Sequence, residues 1–184
     1  MTPPLTPRPR YLRPSWPAPA DGHRLVAVDP GGRLCAAATW RVRPDGVDLV
    51  RLELATPDHL GALGADYWVV EVPHIRGDRT ATVSGVEALE RTVEALKTAR
   101  RPRKSRWTEV RPSAWKGNVP KRVHHARVLE VVCAISSGVR GAVDPDSPYY
   151  NHNLSDAAAL GLWALGLVGR GGVRVTPPDA PRDA

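Results

Sequence analysis

Phenylalanine is absent from the 184 residues, methionine occurs once and cysteine twice. Cys35 and Cys133 lie far apart, each in an apolar run, and no CxxC pair exists. The chain therefore lacks the ligand spacing of a structural zinc site, and its cysteines read as small core residues in a reducing compartment rather than as a disulfide. Acidic residues are in the minority. Against 19 Asp+Glu stand 26 Lys+Arg, for a formal charge of +7 and a sequence pI of about 10.0, the balance of a protein that meets a polyanion. Nothing at the N-terminus reads as a signal peptide or a membrane span, because that segment is basic, proline-rich and without an apolar core. A cytoplasmic protein with no membrane partner is expected.

What is present divides into three parts. Residues 1–22 carry seven prolines and can hardly form a helix or a ladder strand, so they are expected to be a flexible tail. Residues 23–170 form the ordered domain, a length that can bury a real core, and 171–184 a frayed tail. Within the domain, "HRLVAVDPGG" is a short apolar run stopped by a Pro-Gly-Gly turn, which predicts a central strand ending at Asp29. "RLCAAATWRV" and "DGVDLVRLEL" continue it as an antiparallel meander. Strict alternation in the latter would set Val47, Leu49, Arg51 and Glu53 on one face and Val50, Leu52 and Leu54 on the other. After a helical turn at 57–63, "ADYWVVEVP" predicts a fourth strand with Glu71 near its end and Pro73 to stop it.

From Ser84 the period changes. Val86, Leu89, Val93 and Leu96 recur at three and four residues, an amphipathic helix with Ser84 and Glu87 fitting a capping box. "RWTEVRP" follows as a fifth strand, Lys121 to Ile135 as a helix, 136–150 as a loop, and 154–169 as a last helix. Strands that begin as hairpins and then alternate with helices predict an α/β domain with a five-stranded mixed sheet covered by helices.

Three acids stand where the neighbours are apolar: Asp29 ending the first strand, Glu71 ending the fourth, and Asp156 opening the last helix. If the two strands are adjacent, the helix can bring the third acid opposite the other two. Converging carboxylates repel unless a cation lies between them, and all-oxygen ligation favours Mg²⁺ or Mn²⁺. Two such ions support phosphodiester cleavage. Each acid also has a plainer reading: Asp29 as a turn residue, Glu71 as a surface partner of an arginine, Asn153 or Asp156 as a helix cap.

"AVDPGG", "WVVEVP", "RPSAWKGNVPK" and "NLSDAAALGLWA", taken in that order over residues 24–169, resemble the four successive motifs of the RuvC-type Holliday-junction resolvases of the RNase H-like nuclease superfamily, most of all the short phage-type members. The resemblance implies a five-stranded mixed sheet in the order 3-2-1-4-5, a homodimer in the cytoplasm of a bacterial or phage-infected cell, and nicking of branched DNA with two Mg²⁺ or Mn²⁺ ions per site. It implies that Asp29, Glu71 and Asp156 are catalytic metal ligands, and that Lys116 and Lys121 orient the scissile phosphate, with Lys121 part of the catalytic set. Where the family has an Asp or His three residues before the last acid, this chain has Asn153, whose carbonyl can ligate a hard cation but brings no charge. His152 can substitute if the helix begins early enough, since i and i+4 share a face. The family's aromatic wedge has no phenylalanine to fill it here, and His74 is the nearest candidate, with Arg76 beside it.

The basic segments fit a nucleic-acid partner. "RPSAWKGNVPKRVHHAR" combines Arg111, Lys116, Lys121 and Arg122 with a helix start, an arrangement that suits phosphate. "KTARRPRKSR", residues 97–106, is equally a DNA contact or a set of cations at a helix C-terminus. Two rivals to the nuclease remain: a branched-DNA-binding module that does not cut, suggested by Asn153, and a nuclease for flaps or RNA–DNA hybrids, since fold does not fix substrate. An actin-like ATPase is disfavoured by length and by the lack of a Gly-rich phosphate loop.

Overall fold

The computed structural model describes residues 21–72, 83–101 and 104–170. The five expected strands form one sheet: β1 (Arg24–Asp29), β2 (Cys35–Arg43), β3 (Gly46–Ala55), β4 (Tyr67–Glu71) and β5 (Arg106–Val110), in the order β3-β2-β1-β4-β5. β1 is central because its Leu25, Val26, Ala27 and Val28 are all fully buried, as a strand covered on both faces must be. It pairs antiparallel with β2 and parallel with β4. β5 continues the parallel half.

Helices cover both faces. On one side α1 (Pro57–Gly61) and α2 (Val83–Ala99) enclose Val26, Val28, Ala37, Trp68 and Val70. On the other, α4 (Lys121–Ile135) and α6 (His152–Ala164) pack on Leu25, Ala27, Ala38 and Trp40; α3 (Pro112–Trp115) leads into α4, and a 3₁₀ turn at Ser137–Val139 and α5 (Arg140–Val143) lie between α4 and α6. The segment read as a loop over 136–150 thus contains two short helical turns. Val93 and Leu96 of α2 are buried in the cluster on this face of the chain's own sheet, and Val86 is buried as well, leaving Glu87, Glu90, Arg91 and Glu94 outside. The side chain of Ser84 lies outside the described residues, and so does its expected cap.

Two local features depart from the sequence pattern. The β2–β3 register shifts between Thr39 and Trp40, so that Thr39 pairs with Arg51 and Trp40 with Leu49, and Val50 is left over. A β-bulge of this kind inserts one residue and reverses the alternation beyond it. Val47, Leu49 and Leu52 accordingly all reach the same core cluster, and Val50 is exposed. The last helix ends at Ala164 rather than 169 because Gly166 adopts φ 75°. Its N–H reaches Trp163 O at 3.0 Å and that of Leu167 reaches Leu162 O at 2.9 Å, a Schellman termination.

α6 can lie on the sheet because its contact face is small. Ala157, Ala158 and Ala159 are fully buried, and a Cβ on Gly161 would come within 2.0 Å of Trp40 Nε1. Trp40 is fully buried and has no room to yield. Gly161→Ala should therefore lower the urea unfolding free energy by about 1–3 kcal/mol, the usual cost of overpacking; an unchanged midpoint would mean that the helix and sheet are not in this contact.

Candidate active site

The sheet topology alone brings the first two acids together. Val28 pairs with Val70 in the parallel β1–β4 register, so Asp29 and Glu71, one residue on, end neighbouring strands at the carboxyl edge, where open α/β sheets place their ligands. α6 crosses this edge with Asp156 in its first turns. Asp156 is only 2% exposed, and the cap of the helix is Asn151, whose side chain accepts from the N–H groups of Asn153 and Leu154. Neither Asp156 nor Asn153 serves as the cap.

Cations fill the space between the acids. Lys116, just after α3, places Nζ 3.0 Å from Glu71 Oε2 and 3.1 Å from Asp156 Oδ2, and Lys121, opening α4, reaches the same Oδ2 at 3.3 Å. The Trp115 indole N–H donates to Glu71 Oε2 at 3.0 Å. The other oxygen of Asp156 points inward, where His125 Nε2 lies 2.7 Å from Oδ1. Tyr150 hydrogen-bonds the other ring nitrogen, Nδ1.

The electrostatics are uneven. Burial pushes Asp29 up to about 7, and the charge of Glu71 adds to this against the opposing pull of Lys116. Glu71 is also raised by burial, in spite of Lys116 and the Trp115 bond. Asp156 goes the other way: burial works against its charge, but the His125 hydrogen bond and the two lysines hold it well below the usual carboxylate range. For Lys116, burial is outweighed by Glu71, Asp156 and Asp29, and its ammonium is stabilised. The site holds its third carboxylate firmly ionised, and Asp29 is the acid least compensated by cations.

Space remains on both sides of this cluster. A cavity of about 60 Å³ is lined by Asp29, Pro30, Glu71 and Leu89. Another of about 180 Å³ is lined by Pro112, Lys116, Gly117, Val119, Lys121, His124 and Asp156. The donor set suits a hard divalent cation: three buried or half-buried carboxylates, oxygen ligands throughout, with Asp29 the one least compensated by the lysines. Among the described residues no group of three His, Cys, Asp or Glu side chains is set to hold an ion as it stands, and the Lys116 ammonium occupies the gap between Glu71 and Asp156. A cation entering there must displace it.

The remaining expected residues fall at different distances from this centre. The helix does begin at His152, so His152 and Asp156 share a face; His152 is exposed, and its pKa is lowered by burial and by Lys121. Asn153 is half-buried one residue on. Arg122 is exposed and paired with Asp146 at 3.1 Å. Arg111 is exposed beside a separate cavity between α2 and β5. In the other basic segment, Lys97 pairs with Glu109 and Arg100 lies over the Trp107 ring. His74 and Arg76 lie outside the described residues.

His125, Tyr150 and Trp115 were not singled out by motif. For His125 a signal existed: it sits with Val128, Val131 and Val132 on the buried stripe of α4, and a polar residue at a stripe position requires a partner. Tyr150 and Trp115 reach the site through turns that periodicity does not show.

No protein-family model matches the chain, and no curated protein does. Among solved structures, Thermus thermophilus RuvC superimposes with a TM-score of 0.51 at 17% identity, over 78% of this chain and 92% of that one. The yeast mitochondrial Holliday junction resolvase Ydc2 does so with a TM-score of 0.52 at 9% identity, over 85% and 84%. Sheet order, helix placement and these superpositions agree: the chain has the RNase H-like fold of the RuvC-type Holliday-junction resolvases.

Proposed function

We propose that this protein is a divalent-metal-dependent endonuclease that nicks Holliday junctions or related branched DNA. The observation that carries the reading is the meeting of Asp29, Glu71 and Asp156 with Lys116 and Lys121 at one sheet edge, from four separate parts of the chain. In this reading the three carboxylates hold Mg²⁺ or Mn²⁺, with the carbonyl of Asn153 or the ring of His152 as a further ligand. A divalent cation bound there would activate water and stabilise the leaving oxygen of a phosphodiester.

The lysines do the rest. Lys121 is half-exposed and Lys116 only about a quarter so, and both line the larger cavity. In this reading Lys121 receives the scissile phosphate from solvent, and Lys116, once displaced from between the acids, holds it against them. Arg111 and Arg122, both exposed, would extend the positive surface along the DNA. The +7 charge supplies the sequence-independent part of affinity. Two copies related by a two-fold axis would make paired nicks in a symmetric junction. A second copy that docked on α2 would meet its charged face, Glu87, Glu90, Arg91 and Glu94. No helix among the described residues is long and apolar enough to cross a membrane.

One observation favours a second reading, a branched-DNA-binding module without cleavage. Lys116 already neutralises two of the acids, and Asn153 brings no charge to the site. A panel of four-way junction, flap, RNA–DNA hybrid and linear duplex with Mg²⁺ and Mn²⁺ separates them. Nicking of the junction ahead of the duplex is expected. Tight junction binding with no nicking at any metal concentration would establish the binding module instead, and preferential cutting of flap or hybrid would reassign the substrate.

A further inference from the structure

Asp156 divides its two oxygens between different partners. Oδ2 faces the cleft and both lysines. Oδ1 faces inward to His125, which is fully buried on α4. An ionised carboxylate can only accept, so Nε2 carries the hydrogen and donates to Oδ1. With Nε2 protonated, the Tyr150 hydroxyl donates to Nδ1. The rings of His125 and Tyr150 also meet edge to face, with centroids 5.8 Å apart. On its other side His125 lies against His124, which in turn lies against Trp115, the residue that donates to Glu71.

The far end of this chain is anchored as well. Tyr150 N–H bonds Ser147 O and Asn151 N–H bonds Ala142 O, tying the segment before α6 to α5. Tyr150 precedes Asn151, the cap of the helix that carries Asp156. One short stretch thus fixes both the start of the helix and the orientation of its carboxylate.

We infer that Tyr150 and His125 are positioning residues that fix the Asp156 carboxylate in one orientation, so that it offers a cation Oδ2 alone and offers it preformed. This rests on the metal-dependent reading proposed above. Neither residue touches the cation or the DNA; they act through Asp156, as outer partners of metal ligands generally do, with effects of about 10–100-fold on metal affinity. Removing the tyrosine hydroxyl frees the imidazole to turn, and removing the imidazole frees the carboxylate itself.

The test is calorimetric titration of Mn²⁺ into the full chain without DNA. Tyr150→Phe should weaken Mn²⁺ binding about 10-fold and His125→Leu by more, about 100-fold, whereas His125→Gln, whose amide N–H can still donate to Oδ1, should fall closer to wild type. The Mn²⁺ concentration giving half-maximal junction nicking should rise in parallel, with KM for the junction unchanged. Should His125→Leu not fold, Tyr150→Phe decides, because it removes one half-buried hydroxyl and nothing else. Wild-type Mn²⁺ affinity in both Tyr150→Phe and His125→Leu overturns the inference and leaves the nuclease reading standing. A wild-type protein that binds no Mn²⁺ overturns both.

Discussion

Asp156→Ala is expected to abolish junction nicking and to unfold at lower denaturant than the wild type, the largest combined effect of any single replacement at the site. The carboxylate is 2% exposed and engages Lys116, Lys121 and His125 together. Lys121 can turn to water and Lys116 keeps Glu71, but the fully buried His125 loses its acceptor. Leaving such a donor unsatisfied costs about 1–3 kcal/mol. The loss of nicking should exceed the roughly 10–100-fold effect of a residue that acts only through another ligand. Asp156→Asn divides the two consequences. Its amide oxygen can still accept from His125, so most of the stability should return, whereas nicking should not, because the negative charge facing the lysines and any cation is gone. Urea unfolding and nicking rates at saturating Mg²⁺ read the two effects separately; recovery of nicking in Asp156→Asn would show that the charge is dispensable.

Without divalent metal, the protein is expected to lose stability as pH rises from about 5 to 7. Asp29 stands at about 7 in the folded chain against 3.8 for a free side chain. Between those values the folded state holds a proton that the unfolded state has released, so raising the pH favours unfolding. Over this interval the difference amounts to roughly 2 kcal/mol for Asp29. Glu71, also raised, acts in the same direction. Asp156 contributes in the opposite sense, but only below the ordinary carboxylate range, since its folded value is lowered. His152, lowered as well, opposes the trend weakly from its exposed position. Asn at position 29 cannot ionise, so Asp29→Asn should flatten the slope. Added Mg²⁺ should stabilise the wild type more at pH 8 than at pH 5.5, because it favours the ionised acids. Melting temperatures across that range, with and without Mg²⁺, check the sign; a metal-free protein that gains stability from pH 5 to 7 would contradict it.

How far the sequence alone reaches can be judged residue by residue. The β1 and β4 strands were readable because each is a short apolar run ended by one acid, but the strand pattern left their adjacency open, and only the resemblance to the RuvC-type resolvases implied the order that makes them neighbours. Lys116 and Lys121 were readable because they flank a helix start. The bulge at Val50 was not, since a single extra residue leaves composition unchanged and only the pairing with Thr39 and Trp40 exposes it. The inward partners of Asp156 were missed for a related reason. His125 and Tyr150 are 25 residues apart and meet only after two short turns fold the intervening segment back, and such turns carry no period. The early end of α6 was written in Gly166, but a glycine in an apolar stretch does not announce a left-handed conformation until the helix beneath it is known. The unexpected position of Lys116 between two acids follows from three-dimensional charge balance, which no linear motif records.

Incubating a synthetic four-way junction with the full chain and Mg²⁺ or Mn²⁺, beside Asp29→Asn under the same conditions, tests the central claim most directly. The account predicts metal-dependent nicks by the wild type and none by Asp29→Asn, with both proteins binding the junction. Binding by both without a nick from either, or equal nicking by both, would contradict it.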